Sequence, residues 1–287
     1  MSFIISIVTR EGVVMAADSR LTLSFPDQNF RDPENPNAKL LIAVPQSDAT
    51  QKLFLAQSGI GISTCGDASI QNVPISGFIE SFILTLPKEI SVADPAEALL
   101  EYFKNIDPKL NTLFHVSGYT RQNNELSSEL WIIGISGNHK VLNLKPGEQG
   151  ARWNGQLDII NRLFLPVGIQ EFEQEEPSKQ FKPTGKFETV PHYGIDFNHL
   201  TLQDAVDLAV FAVRTTIDTM RFQARMRTVG GPIDVLVIKP DAARWLSRKQ
   251  LHVTGSVSLP GPTNTPQEIQ NFPILTENPV KQESPSE

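Results

Sequence analysis

Three observations predict an α+β fold of packed antiparallel sheets with helices on the outside. Strand-like apolar runs come in groups, and so do helical patterns, which argues against alternating βαβ units. The first two pairs of Ile- and Val-rich runs are joined by tight turns and read as hairpins. A long helix with a 3.6-residue apolar period comes late and is followed by one more apolar strand.

The elements follow in order. A strand starts at the second residue, turns at Arg10-Glu11-Gly12 and returns, delivering Asp18-Ser19-Arg20 at its end. Phe25 to Asn37 is polar and carries Pro26, Pro33 and Pro36, so it reads as an exposed loop. Leu40 to Val44 reads as an extra strand before a loop at Pro45-Gln46-Ser47-Asp48. Lys52 to Ala56 and Ile60 to Cys65 form a second hairpin turning near Ser58-Gly59. From Gly66-Asp67-Ala68 the period becomes helical, through Ile70, Val73, Ile79, Phe82 and Ile83, with Pro74 kinking or splitting the helix.

Asp94-Pro95 opens another helix, with Asp94 as N-cap and proline at the first helical position. Strands recur at Leu113 to Gly118, Leu130 to Ile135 and Val141 to Leu144, and a short helix covers Leu157 to Leu163. Glu171 to Asn198 is charged and contains Pro177, Pro183 and Pro191, which reads as a long loop. Thr201-Leu202-Gln203-Asp204 has the form of a capping box and starts the longest helix, running to about Arg225. Val206, Ala209, Val210, Val213 and Ile217 line one face of it. Gly230-Gly231-Pro232 breaks the chain before a last strand, Ile233 to Ile238. From Leu259 the composition turns proline-rich and acidic with few aromatics, so residues 259–287 are expected to be a disordered tail behind a domain spanning 1–258.

Composition narrows the partners. The 287 residues carry 25 basic against 32 acidic side chains, a net charge of −7. Without a basic cluster such a chain is a poor match to a phosphate backbone, so no nucleic acid is expected. A single cysteine, Cys65, allows no internal disulfide and reads as a small buried hydrophobe. His115, His139, His192, His199 and His252 lack metal-ligand spacing and read as surface or capping residues; no metal and no cofactor is expected. Neither a phosphate-binding loop nor a G-x-S-x-G elbow is present. No run approaches the roughly 18 apolar residues of a membrane span, and the start lacks the basic leader of a signal peptide. The expectation is a soluble cytoplasmic protein with no membrane partner.

The N-terminus carries the chemistry. With Met1 removed, Ser2 becomes the terminal residue and holds a hydroxyl and a free α-amine together, a nucleophile and a base in one residue. The hairpin brings Asp18 back towards it.

Gly12-Val13-Val14-Met15-Ala16-Ala17-Asp18-Ser19-Arg20-Leu21-Thr22 resembles the opening of a proteasome β-type subunit. Lys52-Leu53-Phe54, Thr64-Cys65-Gly66-Asp67-Ala68 and Gly230-Gly231-Pro232-Ile233-Asp234-Val235 resemble further stretches of that family, in the same order. Between Asp18 and Lys52 the chain carries an insertion relative to the family. The resemblance implies a four-layer αββα sandwich and N-terminal-nucleophile (Ntn) hydrolysis of peptide or amide substrates. It implies Ser2 as nucleophile, Lys52 as the ammonium beside it, Asp18 as the holder of Lys52, and the Gly66 N–H as oxyanion donor. It also implies a homo-oligomer, usually a ring; whether an ATP-driven unfoldase serves it is left open by the residues.

Around the amine the chain departs from the family pattern. Active members carry an aspartate four residues before the Gly-Gly pair and a serine immediately before it; this chain has Met226 and Val229, with Thr228 one residue away. Where members place a serine before a later glycine, this chain has Asn154-Gly155, and Asn154 offers a side-chain carbonyl to the α-amine instead. Arg20, Thr22, Asn154 and Thr228 are therefore the candidate shell around substrate and amine. Two alternatives stand beside the protease: a non-catalytic scaffold that keeps Met1, and an amidase or acylase for small molecules whose pocket is reshaped by the Phe25–Gln51 insertion.

Overall fold

The computed structural model describes residues 2–26, 41–122, 125–175 and 180–250. The chain divides into a compact unit, Met1–Lys249, and a second unit, Gln250–Glu287, of which only Gln250 is described. Met1, most of the 25–37 segment and the 259–287 tail thus lie outside the described residues.

The N-terminal hairpin is β1 (Phe3–Val8) and β2 (Val13–Ala17), paired from Ile4↔Ala17 to Val8↔Val13. Next come β3 (Leu21–Pro26) and β4 (Leu41–Ser47), a separate two-stranded ribbon, then the hairpin β5 (Leu53–Leu55) and β6 (Gly61–Gly66). After these are β7 (Ser69–Ile70), β8 (Val73–Pro74), α1 (Ile75–Thr85) and α2 (Ala93–Ile106). The middle of the chain forms β9 (Thr112–Gln122), β10 (Glu125–Gly134), β11 (His139–Leu144), β12 (Gly150–Gly155) and α3 (Asp158–Phe164). The rest is β13 (Gly168–Glu175), β14 (Gln180–Thr189), α4 (Leu202–Phe222), β15 (Asp234–Ile238) and β16 (Ala243–Ser247).

Two five-stranded antiparallel sheets dominate this mixed α+β fold, ordered β12-β1-β2-β15-β16 and β11-β10-β9-β6-β5. All six residues of β1 are buried, so both of its faces are covered. Phe3, Ile5 and Ile7, with Val14 and Ala16, share one cluster with Ala205, Ala209, Ala212 and Val213 of α4, whose small side chains let the helix lie close. The alternate residues Ile4, Val8, Val13, Met15 and Ala17 share another with Leu53, Cys65 and Leu130 of the second sheet. Phe54, Ile62, Phe114 and Val116 face a third, built with Ile79 and Phe82 of α1 and Leu99 and Phe103 of α2. The period-2 alternation of β1 and β2 thus divides their side chains between two cores.

Several expectations are corrected. The helix expected from Gly66 starts only at Ile75, because Ser69 to Pro74 form a miniature hairpin. Gln71 and Asn72 take positive φ of 50° and 66°, as a two-residue hairpin turn demands, and Pro74 precedes the helix instead of kinking it. Asp94 lies inside the first turn of α2, where its charge meets the positive end of the helix dipole; Val92 holds the N-cap position. The long loop expected over Glu171 to Asn198 contains the β13–β14 ribbon, whose Phe172, Phe181 and Phe187 are exposed. Strands β3, β12 and β16 were not expected from the sequence. The capping box holds: Thr201 Oγ1 accepts from the Asp204 N–H and the Asp204 carboxylate accepts from the Thr201 N–H, both at 3.2 Å. Among the described residues no helix is long and apolar enough to cross a membrane.

Candidate active site

The β1–β2 register sets Asp18 beside Phe3, one residue past Ile4↔Ala17. The Asp18 N–H donates to the Phe3 carbonyl at 3.2 Å, and the Phe3 N–H donates to Asp18 Oδ1 at 2.9 Å. The same oxygen accepts from Lys52 Nζ at 2.7 Å. Oδ2 accepts from the Arg20 N–H at 3.1 Å and the Gly230 N–H at 3.0 Å. Asp18 is wholly buried, and a buried carboxylate requires such donors to replace water.

Lys52 enters from the start of the second hairpin and is only 4 % exposed. Burial pulls its ammonium below the ordinary lysine value, while the charge and hydrogen bond of Asp18 act to hold it up. The Lys52 carbonyl accepts from the Thr64 N–H at 2.9 Å, which fixes the lysine backbone to β6. At the far end of that strand Gly66 has φ 120° and is exposed, and a Cβ there would overlap the Asn111 carbonyl oxygen. Ser2, Lys52, Thr64, Cys65 and Gly66 line one shallow hollow.

Ser2 is held by its backbone. Its carbonyl accepts from the Gln156 N–H at 2.8 Å. Gly155, at φ 101°, lies so close that a Cβ would overlap the Ser2 carbonyl oxygen. Four sequence candidates, Ser2, Asp18, Lys52 and Gly66, are therefore brought together by the ends of β1, β2, β5 and β6.

The remaining candidates face elsewhere. Arg20 grips Asp48 with two parallel bonds, Nε to Oδ1 at 2.6 Å and Nη2 to Oδ2 at 2.7 Å, and its Nη1 donates to the Arg227 carbonyl at 3.1 Å. This guanidinium holds the Asp48 carboxyl below its ordinary range. Thr22 Oγ1 donates to the Thr228 carbonyl and Thr228 Oγ1 to Gln156 Oε1, each at 3.4 Å. Thr228 thus reaches Ser2 only through Gln156. Asn154 Oδ1 lies 2.8 Å from His115 Nε2, and His115 Nδ1 lies 2.9 Å from Ser6 Oγ. A carbonyl oxygen only accepts, so Nε2 carries the proton and Nδ1 accepts from Ser6. Val229 packs in the core against α4, and the Met226 side chain is exposed.

His115 corrects an expectation. It is fully buried, it has two partners, and desolvation lowers its pKa to about 4, keeping it neutral. It ties β9 of one sheet to β1 and β12 of the other. Its partners lie 109 and 39 residues away in sequence, beyond any local spacing pattern. Gln156, Gly155 and Asp48 were likewise missed, the first two because they act through backbone. Cys65 is buried and burial raises its thiol to about 12, so it is a protonated core side chain. Among the described residues no group of three or more His, Cys, Asp or Glu side chains could hold a metal ion.

No family model matches the chain, and no curated protein matches it. Among solved structures, it is similar to a Gly-1 mutant of Anbu from Hyphomicrobium sp. strain MC1, with a TM-score of 0.50 at 15 % identity. The match covers 86 % of this chain and 87 % of that one, and it supports a proteasome-like fold.

Proposed function

We propose that the chain is a proteasome-like Ntn hydrolase that cleaves peptide or other amide bonds through an acyl-enzyme on Ser2, formed after Met1 is removed. The buried Asp18 carboxylate carries this reading, because one oxygen joins Lys52 Nζ to the backbone adjoining Ser2. A free α-amine titrates at about 7.7–8.0, a value suited to a general base near neutrality. A neighbouring ammonium lowers it further, and Lys52 is the cation placed to do so.

In the proposed reaction Ser2 Oγ bonds to the substrate carbonyl carbon while the α-amine takes the hydroxyl proton. The oxyanion develops against the Gly66 N–H, a contact worth about 3–4 kcal/mol of barrier. Collapse breaks the C–N bond, and the α-ammonium passes its proton to the leaving amine. Water then attacks the resulting ester; the amine takes its proton and returns one to Ser2 Oγ as the acid departs. The scheme uses no metal or cofactor.

The same reading includes the four-layer αββα order, supported by the three apolar clusters, each of which joins a sheet to helices or to the other sheet. It includes a domain running to residue 258 and a homo-oligomeric assembly, for which the exposed phenylalanines of β13–β14 offer apolar surface.

One observation favours a second reading, a scaffold that retains Met1. The side chains expected to face the amine are engaged elsewhere, Asn154 by His115 and Thr228 by Gln156. Intact mass of the protein, expressed without an N-terminal tag, separates the two. Loss of Met1, with turnover of peptide or small-amide substrates that Ser2→Ala abolishes, supports the hydrolase. Retained Met1 and no turnover gives the scaffold. Preference for peptides or small amides in the same panel separates protease from acylase.

A further inference from the structure

A cavity of about 720 Å³ lies at the opposite end of β5 and β6 from Ser2. It is formed by the β5–β6 turn, the α1–α2 connection, the far end of β9 and the β15–β16 turn. The six residues of β6 at about 3.3 Å each put this cleft roughly 20 Å from Gly66. It is therefore separate from the hollow beside Ser2.

Its lining carries three cations and two carboxylates. Lys88, Arg121 and Lys239 come to it from three different segments, and none of them is in an ion pair among the described residues. The Ser58 hydroxyl at the turn is shielded from solvent and has no hydrogen-bond partner, an arrangement that is destabilising unless a ligand or water satisfies it. The half-buried Tyr119 adds an aromatic wall. Glu89 and Asp241 complete the polar lining as acceptors.

We propose that this cleft binds a small phosphate monoester bearing hydroxyl groups. A tetrahedral dianion offers acceptor oxygens in several directions at once, which suits three cations arriving from separate segments and the Ser58 O–H. A planar carboxylate offers them in one plane and suits cations on separate segments less well. Glu89 and Asp241 accept from the hydroxyls of the ligand, and the volume falls in the range of small-molecule sites.

The test is calorimetric titration of the full chain with glycerol 3-phosphate, inorganic phosphate and succinate at constant ionic strength. Glycerol 3-phosphate is expected to bind one saturable site with Kd at or below about 1 mM, more tightly than inorganic phosphate or succinate. Arg121→Ala and Lys239→Ala should each weaken it about tenfold or more, the worth of one charge-assisted hydrogen bond. Ser58→Ala should weaken it severalfold while the thermal midpoint of the ligand-free protein holds or rises. Absence of saturable binding, binding unchanged in all three variants, or tighter binding of succinate would each overturn the proposal.

Discussion

The two oxygens of Asp18 accept from Lys52, Phe3, Arg20 and Gly230, so its charge is balanced by donors fixed on four segments. Truncating Lys52 leaves that carboxylate buried without its cation. Lys52→Ala is expected to abolish turnover and to lower stability by about 3–5 kcal/mol, read as a reduced urea midpoint; a wild-type midpoint would show that the pair contributes nothing to the fold. His115 makes a pH prediction. Its pKa is about 4 in the folded protein against the ordinary 6.5. Above 6.5 both folded and unfolded chains are neutral there, and nothing is lost. Below it the unfolded chain takes up the proton first, so stability declines towards pH 4 by up to about 3 kcal/mol. Urea midpoints near neutrality and near pH 4 should show this decline in the wild type and a smaller one in His115→Gln. Lys52 stood out only through the resemblance of Lys52-Leu53-Phe54 to the proteasome family, whereas Asp18 was legible in the sequence because the turn of the first hairpin could be read. The His115–Asn154 pair was not, because only the packing of one sheet on the other brings the two side chains together.

Strand β12 shows what periodicity misses. Its sequence Gly-Ala-Arg-Trp-Asn-Gly has no clear apolar alternation, yet it pairs with β1 from Phe3↔Gly155 to Val8↔Gly150. Backbone hydrogen bonding defines it, and a side-chain pattern cannot report that. The β13–β14 ribbon was missed for a related reason: it packs little apolar surface, so charge and proline dominated its sequence. By contrast β1, β2 and α4 bury continuous apolar faces and were readable, the two strands and the start of the helix almost to the residue, although α4 ends at Phe222 and not near Arg225. The end of β12 also carries a sharp prediction. Gly155 combines positive φ with contact to the Ser2 carbonyl, so Gly155→Ala must strain the backbone, by about 1–3 kcal/mol, and displace Ser2. Thermal unfolding should show the lowered midpoint, and turnover should fall by more than the loss of folded protein explains. Activity retained at the wild-type level would mean that the clamp on Ser2 is dispensable.

At the scale of the whole molecule, the unit Met1–Lys249 is compact by itself. Lys249 fastens its end, its N–H and its ammonium both meeting the buried Asp234 carboxylate. A chain stopped after residue 258 should therefore unfold at the same temperature as the full chain; a clear drop by calorimetry would assign the tail a structural role. The strand order has a consequence during synthesis. The β1–β2 hairpin leaves the ribosome before both of its neighbours in the sheet: β12 (Gly150–Gly155) follows in mid-chain and β15 (Asp234–Ile238) near the end of the described residues. β15 ends about 220 residues after β2, which at 5–20 residues per second is roughly ten to forty seconds of translation. For that interval the β2 edge of a ribbon destined for complete burial has no partner. The segment that ends up holding the candidate nucleophile is thus one that needs shielding as a nascent chain.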